Sequence, residues 1–166
     1  MSASEQHYRP DGGQRTIVFP SRIAEIKVSY SRKVKDCDRF KITDSESAVA
    51  VLRSRWKKGR IQYVEEFKTI FLDRSNRVLG LRTVSQGGQA GCVADPKVIF
   101  GAALKAHAAA LIAAHNHPSG QLSPSEADIK LTRKLKEIGI LLDLPLLDHI
   151  ILTQDSYRSF ADEGML

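Results

Sequence analysis

Cysteine is scarce in this sequence, and its scarcity argues against several classes of protein. The chain has two cysteines among 166 residues, Cys37 and Cys92, which lie far apart and form no Cys-x-x-Cys pair. A disulfide framework is therefore not expected, and the Pro-Cys-x-x-Cys signature of zinc deaminases is missing. Because disulfide-rich proteins belong to oxidising compartments, this cysteine usage favours a cytoplasmic location.

Long apolar runs are missing as well. No stretch of about eighteen consecutive apolar residues occurs, which is the length that a membrane-spanning helix needs. The N-terminal residues MSASEQHYRPDGGQRT are polar and lack the apolar segment of a secretory signal. The sequence thus predicts neither a membrane span nor a secretory signal. Its 42% hydrophobic and 27% charged residues are typical of one globular domain.

Basic residues are concentrated in the first part of the chain. Residues 1–60 contain 14 Lys or Arg and 7 Asp or Glu, whereas residues 61–166 contain 11 and 12. An excess of this kind can bind nucleic acid or an acidic partner. The basic residues are not compacted into one patch, however, so an ordinary solvated surface explains them better. Both interpretations stay open.

Hydrophobic spacing and turn residues predict alternating strands and helices. The predicted strands span residues 23–30, 63–72, 78–84, 108–114 and 142–153, and the predicted helices span residues 43–60, 96–107 and a segment that begins near residue 123. One hairpin interrupts the alternation. We therefore predict a three-layer α/β (α+β) domain with a mixed β-sheet over residues 43–166, preceded by a basic N-terminal arm with one strand at residues 1–42.

Capping residues mark the ends of these helices. Gly59 is expected to cap the C-terminus of the first helix. In the last helix, Ser123 is the predicted N-cap, Pro124 fits the first helical position, and Glu126 would complete a capping box.

The most informative stretch has the pattern His-x-His-Pro-x6-Ser-x-x-Asp, formed by His115, His117, Ser125 and Asp128. Side chains two residues apart on an extended strand point the same way, so the two imidazoles can share one metal ion. Asp128 offers a carboxylate oxygen as a third ligand. Three nitrogen and oxygen ligands, with a fourth position left for water, are typical of a catalytic zinc site.

This motif resembles the signature of the JAB/MPN (JAMM) metalloenzyme superfamily. Its bacterial RadC-like branch is similar to two longer runs of this chain, His115-Asn116-His117-Pro118-Ser119-Gly120 and Leu147-Asp148-His149-Ile150-Ile151. The resemblance covers residues 43–166. It implies a fold like that of cytidine deaminases, a Zn²⁺ ion bound by His115, His117 and Asp128, and a historical association with DNA repair.

The resemblance also implies two catalytic residues. A glutamate on an earlier strand is the general acid and base, and in RadC-like proteins it stands two residues before a phenylalanine and eight before an aspartate. Glu65 has both spacings, to Phe67 and Asp73. Glu66 would point to the opposite face of a regular strand and is kept as the alternative. The serine that stabilises the oxyanion corresponds to Ser125.

The chemistry of a zinc site supports the same roles. Zinc lowers the pKa of a bound water to about 7, a carboxylate can accept its proton, and a hydroxyl can donate to the tetrahedral oxyanion. We therefore expect a zinc-dependent metallohydrolase, a peptidase or isopeptidase with a peptide or protein substrate. The structural alternatives are that Glu65 is only an ion-pair partner and that Ser125 only begins a helix.

A second function remains open beside the hydrolase. The alternative is a RadC-like accessory protein of DNA repair or recombination, which would bind nucleic acid through its basic N-terminal half. Asp148 and His149 could support the metal ligands from behind, but they are expected to be structural and to hold the end of their strand.

Overall fold

The computed structural model describes residues 34–57, 59–87 and 94–166. The predicted strand at residues 23–30 and Cys92 lie outside these ranges. The helices and strands within them are α1 (Ser45–Arg55), β1 (Glu66–Leu72), β2 (Val78–Gln86), α2 (Pro96–Lys105), β3 (Ala110–Asn116), α3 (Glu126–Leu141), β4 (Leu146–Leu152) and β5 (Tyr157–Ser159). None of these helices has the length and hydrophobicity of a bilayer-spanning segment.

The strands form one mixed sheet in the order β2-β1-β3-β4-β5. β3 and β4 are parallel, and the other neighbouring pairs are antiparallel. Parallel neighbours cannot be joined by a tight turn, and α3 supplies the crossover that they need. The predicted mixed sheet is therefore confirmed. The last strand, β5, falls in a C-terminal segment where no strand was predicted.

Helices cover both faces of the sheet and give it three layers. One face packs against α1 through a cluster that includes Leu52, Trp56, Ile70 and Ile112. The other packs against α2 and α3 through a second cluster, which includes Phe71, Ile99, Phe100, Leu111 and Leu135. Every residue of β1 and β3 is buried, which explains why the sequences of these two central strands are mostly apolar. The predicted α+β class is confirmed.

The first helix begins where the sequence predicts and ends earlier. The side chain of Asp44 caps its N-terminus by accepting from the Ser47 N–H. The C-cap, however, is Trp56 rather than Gly59. Trp56 leaves the helix with an extended backbone and buries its indole in the α1 cluster, so packing ends the helix before the glycine is reached. Gly59 lies in the following turn with a φ of 82°.

Several strand boundaries also differ from the predictions. The strand predicted at residues 63–72 begins at Glu66, because residues 61–64 form a turn. The strand predicted at residues 142–153 begins at Leu146, after the end of α3. The helix predicted to begin after Asp95 does so, with the Asp95 side chain as cap and Pro96 in its first turn.

Candidate metal centre

The C-terminal end of β3 carries the two histidines of the motif. His115 is the penultimate residue of the strand, and His117 follows its end. The His117 N–H still donates to the Leu152 carbonyl at 2.9 Å, which continues the pairing with β4. Residues two apart therefore share the face that packs against α2 and α3. The His115 side chain is 1% exposed and that of His117 is 16% exposed, so the pair lies at the edge of the core.

The first turn of α3 supplies the third group. The N-cap is Ser125, two residues later than the predicted Ser123. Asp128 causes this shift, because it closes a capping box: the Ser125 N–H donates to its Oδ2 at 2.7 Å, and Ser125 Oγ accepts from its N–H at 3.2 Å. The Ser125 hydroxyl also donates to Asp128 Oδ2 at 2.6 Å. Asp128 is thereby folded back over the helix start, toward the end of β3.

The three predicted metal ligands converge. His115 Nε2 lies 3.2 Å from Asp128 Oδ1, and His117 Nε2 lies 3.7 Å from Asp128 Oδ2. The two Nε2 atoms are 3.0 Å apart. One ligand atom from each residue lies within 4.8 Å of the others, a spacing at which all three could contact one ion.

The hydrogen bonds of this cluster leave it in need of a positive charge. His117 Nδ1 lies 2.7 Å from the Gln121 carbonyl oxygen. Because a carbonyl only accepts, Nδ1 carries the hydrogen, and in a neutral ring Nε2 presents its lone pair to the cluster. The Asp128 carboxylate likewise only accepts. Electron-rich atoms that face one another in this way are stabilised by a cation between them, either a proton or a metal ion.

The pKa values agree with this charge requirement. The neighbouring Asp128 carboxylate, 3.7 Å from His117 Nε2, raises the pKa of His117 above its usual value; partial burial opposes the rise, and the negative charge of Glu65 adds to it. Burial alone would raise the pKa of Asp128, but its contacts with the His115 and His117 imidazoles hold it well below its usual range. Asp128 is therefore an anion at neutral pH, and a metal ion at this site would compete with protons for His117.

The two candidate glutamates lie on different sides of β1. Glu66 faces α1, where its side chain is 1% exposed; its Oε1 lies 2.6 Å from Arg60 Nε and its Oε2 lies 2.8 Å from Lys68 Nζ. Both carboxylate oxygens are thus occupied by cations away from the histidines. Glu65, in contrast, is near enough to His117 for its charge to raise the pKa of that imidazole. The surroundings of Glu66 thus leave Glu65 as the candidate acid and base, and that role stays a prediction.

Asn116, between the two histidines, fixes the backbone around Glu65. Its side-chain amide donates to the Val64 carbonyl at 2.9 Å, and its Oδ1 accepts from the Glu66 N–H at 2.8 Å. Asn116 is fully buried on the α1 side of β3. These bonds hold the backbone on either side of Glu65. The residue between the two histidines therefore fixes the segment that carries the glutamate.

His149 and Thr132 also touch the site; support of the ligands by His149 was the alternative to a structural role, and Thr132 was not predicted. His149 Nε2 lies 2.9 Å from His115 Nδ1, and His149 Nδ1 lies 2.6 Å from Thr132 Oγ1. The available signal was the spacing of four between Asp128 and Thr132, which puts both on one side of a helix. Asp148 is structural, as expected, and accepts from the Ser159 hydroxyl at 2.7 Å.

A separate depression lies at the opposite end of the sheet. Its volume is about 970 Å³, and its lining includes Asp73, His107 and Asp143. It contains none of the predicted metal ligands or catalytic residues. The arrangement of chemical groups, rather than the volume of a cavity, therefore identifies the end of β3 as the candidate site.

The chain is similar over most of its length to proteins of one family. A profile of the family described as RadC-like JAB domain matches residues 42–165. Three UPF0758 proteins illustrate the similarity. The one from Flavobacterium johnsoniae is 38% identical over 146 residues, which cover 87% of this chain and 62% of that protein. The one from Geotalea uraniireducens is 43% identical over 154 residues, with coverages of 89% and 65%.

A third relative is covered over a shorter stretch. The UPF0758 protein of Methanosarcina mazei is 42% identical over 111 residues, which cover 67% of this chain and 48% of that protein. The chain spans less than two thirds of the length of these three relatives.

Proposed function

The chain belongs to the family of RadC-like JAB domains, and we propose that it is a zinc-dependent hydrolase that cleaves a peptide or isopeptide bond. The observation that carries the proposal is the convergence of His115, His117 and Asp128 beside Glu65. The family resemblance supplies the type of bond, and the geometry supplies the groups that would act on it.

The donor set fits zinc. Two imidazole nitrogens and one carboxylate oxygen form a common set of catalytic zinc ligands, with one position left for water or substrate. In the described ranges no further His, Cys, Asp or Glu joins this group, so a closed four-ligand site is not formed there. His117 and Asp128 keep 16% and 14% of their side chains exposed, which leaves one side of the site accessible.

Each residue then has a defined task. Zn²⁺ held by His115, His117 and Asp128 would act as a Lewis acid that acidifies water and polarises a carbonyl group. Glu65 accepts a proton from the water whose oxygen attacks the carbonyl carbon. As the carbon–nitrogen bond breaks, Glu65 returns that proton to the leaving amine.

Ser125 serves two purposes in this proposal. Its hydroxyl donates to Asp128 Oδ2, which holds the carboxylate in place. When substrate is present, the exposed hydroxyl turns to donate to the carbonyl oxygen, where negative charge develops. A Ser125→Ala variant is therefore expected to lose both zinc affinity and turnover, whereas a purely capping serine would change only stability.

The proposal is tested by hydrolysis assays on defined substrates. We expect the zinc-loaded protein to cleave members of a proteome-derived peptide library or lysine isopeptide conjugates. Chelation should stop cleavage, return of zinc should restore it, and His117→Ala should remain inactive. Cleavage that survives complete chelation would contradict the proposal, as would no cleavage in either library by protein shown to hold zinc.

The charge excess of residues 1–60 supports a second proposal, nucleic-acid binding. Part of this excess already serves the fold, since Arg53 donates to the Gln154 and Ser156 carbonyls and Arg60 pairs with Glu66. A truncation should therefore spare α1 and remove residues 1–33 only. We expect the full chain to bind duplex DNA with an affinity that falls steeply with salt, and the truncated chain to bind more weakly. Equal affinities would reject this role for the arm.

A further inference from the structure

His149 is enclosed beneath the candidate metal centre. It is fully buried, with its ring 5.0 Å from that of Phe160 and 5.6 Å from that of Phe67. Its two ring nitrogens meet two polar partners: Nδ1 meets Thr132 Oγ1 at 2.6 Å, and Nε2 meets His115 Nδ1 at 2.9 Å. Thr132 is also buried. These two residues therefore form a second layer behind His115.

The direction of each hydrogen bond follows from the last group in the series, the backbone carbonyl of Asp128. Thr132 Oγ1 lies 2.6 Å from the Asp128 backbone carbonyl, which can only accept. The single hydroxyl hydrogen of Thr132 is used there, so its oxygen accepts from His149 Nδ1–H. In a neutral imidazole the other nitrogen then has no hydrogen, and His149 Nε2 accepts from His115 Nδ1–H.

This sequence of bonds decides which nitrogen of His115 is available to a metal. With its hydrogen on Nδ1, neutral His115 presents the lone pair of Nε2, the atom that lies 3.2 Å from Asp128 Oδ1. The opposite tautomer of His149 would donate from Nε2 to His115 Nδ1. It would place the His115 hydrogen on Nε2, in the position where the metal binds.

We propose that Thr132 and His149 are positioning residues that hold His115 in its metal-binding tautomer. Outer contacts of this kind commonly orient histidine ligands. Here the contacts form a closed ring, because they begin at the backbone of Asp128 and return through His115 to the Asp128 carboxylate. The inference rests on the proposed function in one respect, that His115 is a metal ligand.

Thr132→Val tests the proposal, because valine keeps the shape of threonine and loses the hydroxyl. We expect zinc affinity, measured by competition with a chromophoric chelator, to fall by about 10- to 100-fold. Thr132→Ser should restore it to near the wild-type value. The matched control is Thr69→Val, since Thr69 is a fully buried threonine whose hydroxyl has no hydrogen-bond partner among the described residues. That control should bind zinc like the wild type.

A second readout does not depend on zinc. Nitrogen-15 NMR identifies which ring nitrogen carries hydrogen in each histidine. The sample is wild-type protein from which a chelator has removed all metal. We expect hydrogen on Nδ1 of both His115 and His149, and loss of this pattern in Thr132→Val. Hydrogen on Nε2 of His115 in the wild type would overturn the inference, as would equal zinc affinities for Thr132→Val and Thr69→Val. A wild-type protein that binds no zinc but shows the expected tautomers would reject the proposed function alone.

Discussion

The two faces of the sheet each bury a polar cluster, and the clusters differ in how their charges are balanced. On the α1 face, the Glu66 carboxylate is bound by Arg60 and Lys68. Lys68 also donates to Thr83 Oγ1 at 2.8 Å, and its ammonium lies 4.7 Å from the centre of the Trp56 ring. The anion of this cluster has its cations within the protein, so the cluster is complete.

On the α3 face, the end of β3 and the start of α3 form a cluster that is not complete. Lone pairs of the His115 and His117 imidazoles and the Asp128 carboxylate converge there, and a cation from outside is needed to balance them. Glu65 and Glu66 are adjacent in the sequence but belong to different clusters. Side chains of neighbouring residues in an extended chain point to opposite faces of a sheet. The charges of the first cluster therefore serve the structure, because their partners lie within the protein. The second cluster lacks such a partner, and this is why we propose a function for it.

The largest expected effect comes from removing charge on the incomplete side. Asp128→Asn should lower zinc affinity by at least about 100-fold. A neutral amide is a poor zinc ligand, and the variant loses the negative charge that the Asp128 carboxylate contributes to the three converging groups. Glu126→Gln is the control, since its carboxylate lies in the same helical turn but is 89% exposed. Competition with a chelator measures both affinities. Equal zinc binding by the two variants would show that Asp128 is not a ligand.

Glu65→Gln separates metal binding from catalysis. We expect turnover of a cleaved substrate to fall by about 10²- to 10⁴-fold, the contribution typical of a general acid or base. Zinc affinity should stay within a few-fold of wild type, because Glu65 is not one of the three converging groups. Steady-state kinetics and chelator competition check the two halves. Full activity of the variant would remove Glu65 from the mechanism.

Glu66→Gln is the counterpart on the complete side. The neutral amide leaves Lys68, whose side chain is 4% exposed, without its anion. Breaking a buried ion pair from one side costs about 3–5 kcal/mol, so the free energy of unfolding should fall by that amount. Urea denaturation in the presence of chelator measures it, and zinc affinity should not change. A large loss of zinc affinity would show that the two faces are not independent.

The smallest expected effects are two opposite pH dependences at His117, one of folding stability and one of zinc affinity. Its folded-state pKa is raised, so its contribution to stability is fully present below its unfolded value of about 6.5 and is lost as the pH rises through the folded value. Zinc competes with the same proton, so zinc affinity should increase over that range. Thermal melts with chelator and zinc titrations from pH 5.5 to 9 test both trends. In His117→Ala the loss of melting temperature should disappear; its persistence would assign the effect elsewhere.

The sequence predicts the convergence of the three candidate ligands more accurately than it predicts their surroundings. The spacing of His115, His117 and Asp128 is sufficient, because strand alternation and one helix start place all three. The helix start itself was misplaced, because Ser123-Pro124 and Ser125-Glu126 offer similar caps and only the folded Asp128 side chain selects the second. The end of α1 was also set by a contact of the folded chain. Trp56 packs into the core and ends the helix before Gly59 can act as its C-cap.

Contacts between distant parts of the chain could not be predicted. His149 meets His115 only because β4 lies beside β3 in parallel register, with His149 paired to Ala113. Alternation assigns the two adjacent glutamates to opposite faces and puts Lys68 on the face of Glu66, but the second cation of Glu66, Arg60, comes from a turn. Such pairings depend on the finished sheet rather than on local spacing.

The most direct test of the account is the metal content of the protein. Elemental mass spectrometry is applied to tag-free wild type and His117→Ala after incubation with zinc and removal of the excess. The account predicts close to one zinc per wild-type chain and almost none in the variant, whose remaining two ligands cannot hold the ion. Wild-type protein without zinc, or equal zinc in both proteins, would contradict the claim that these three residues form a metal centre.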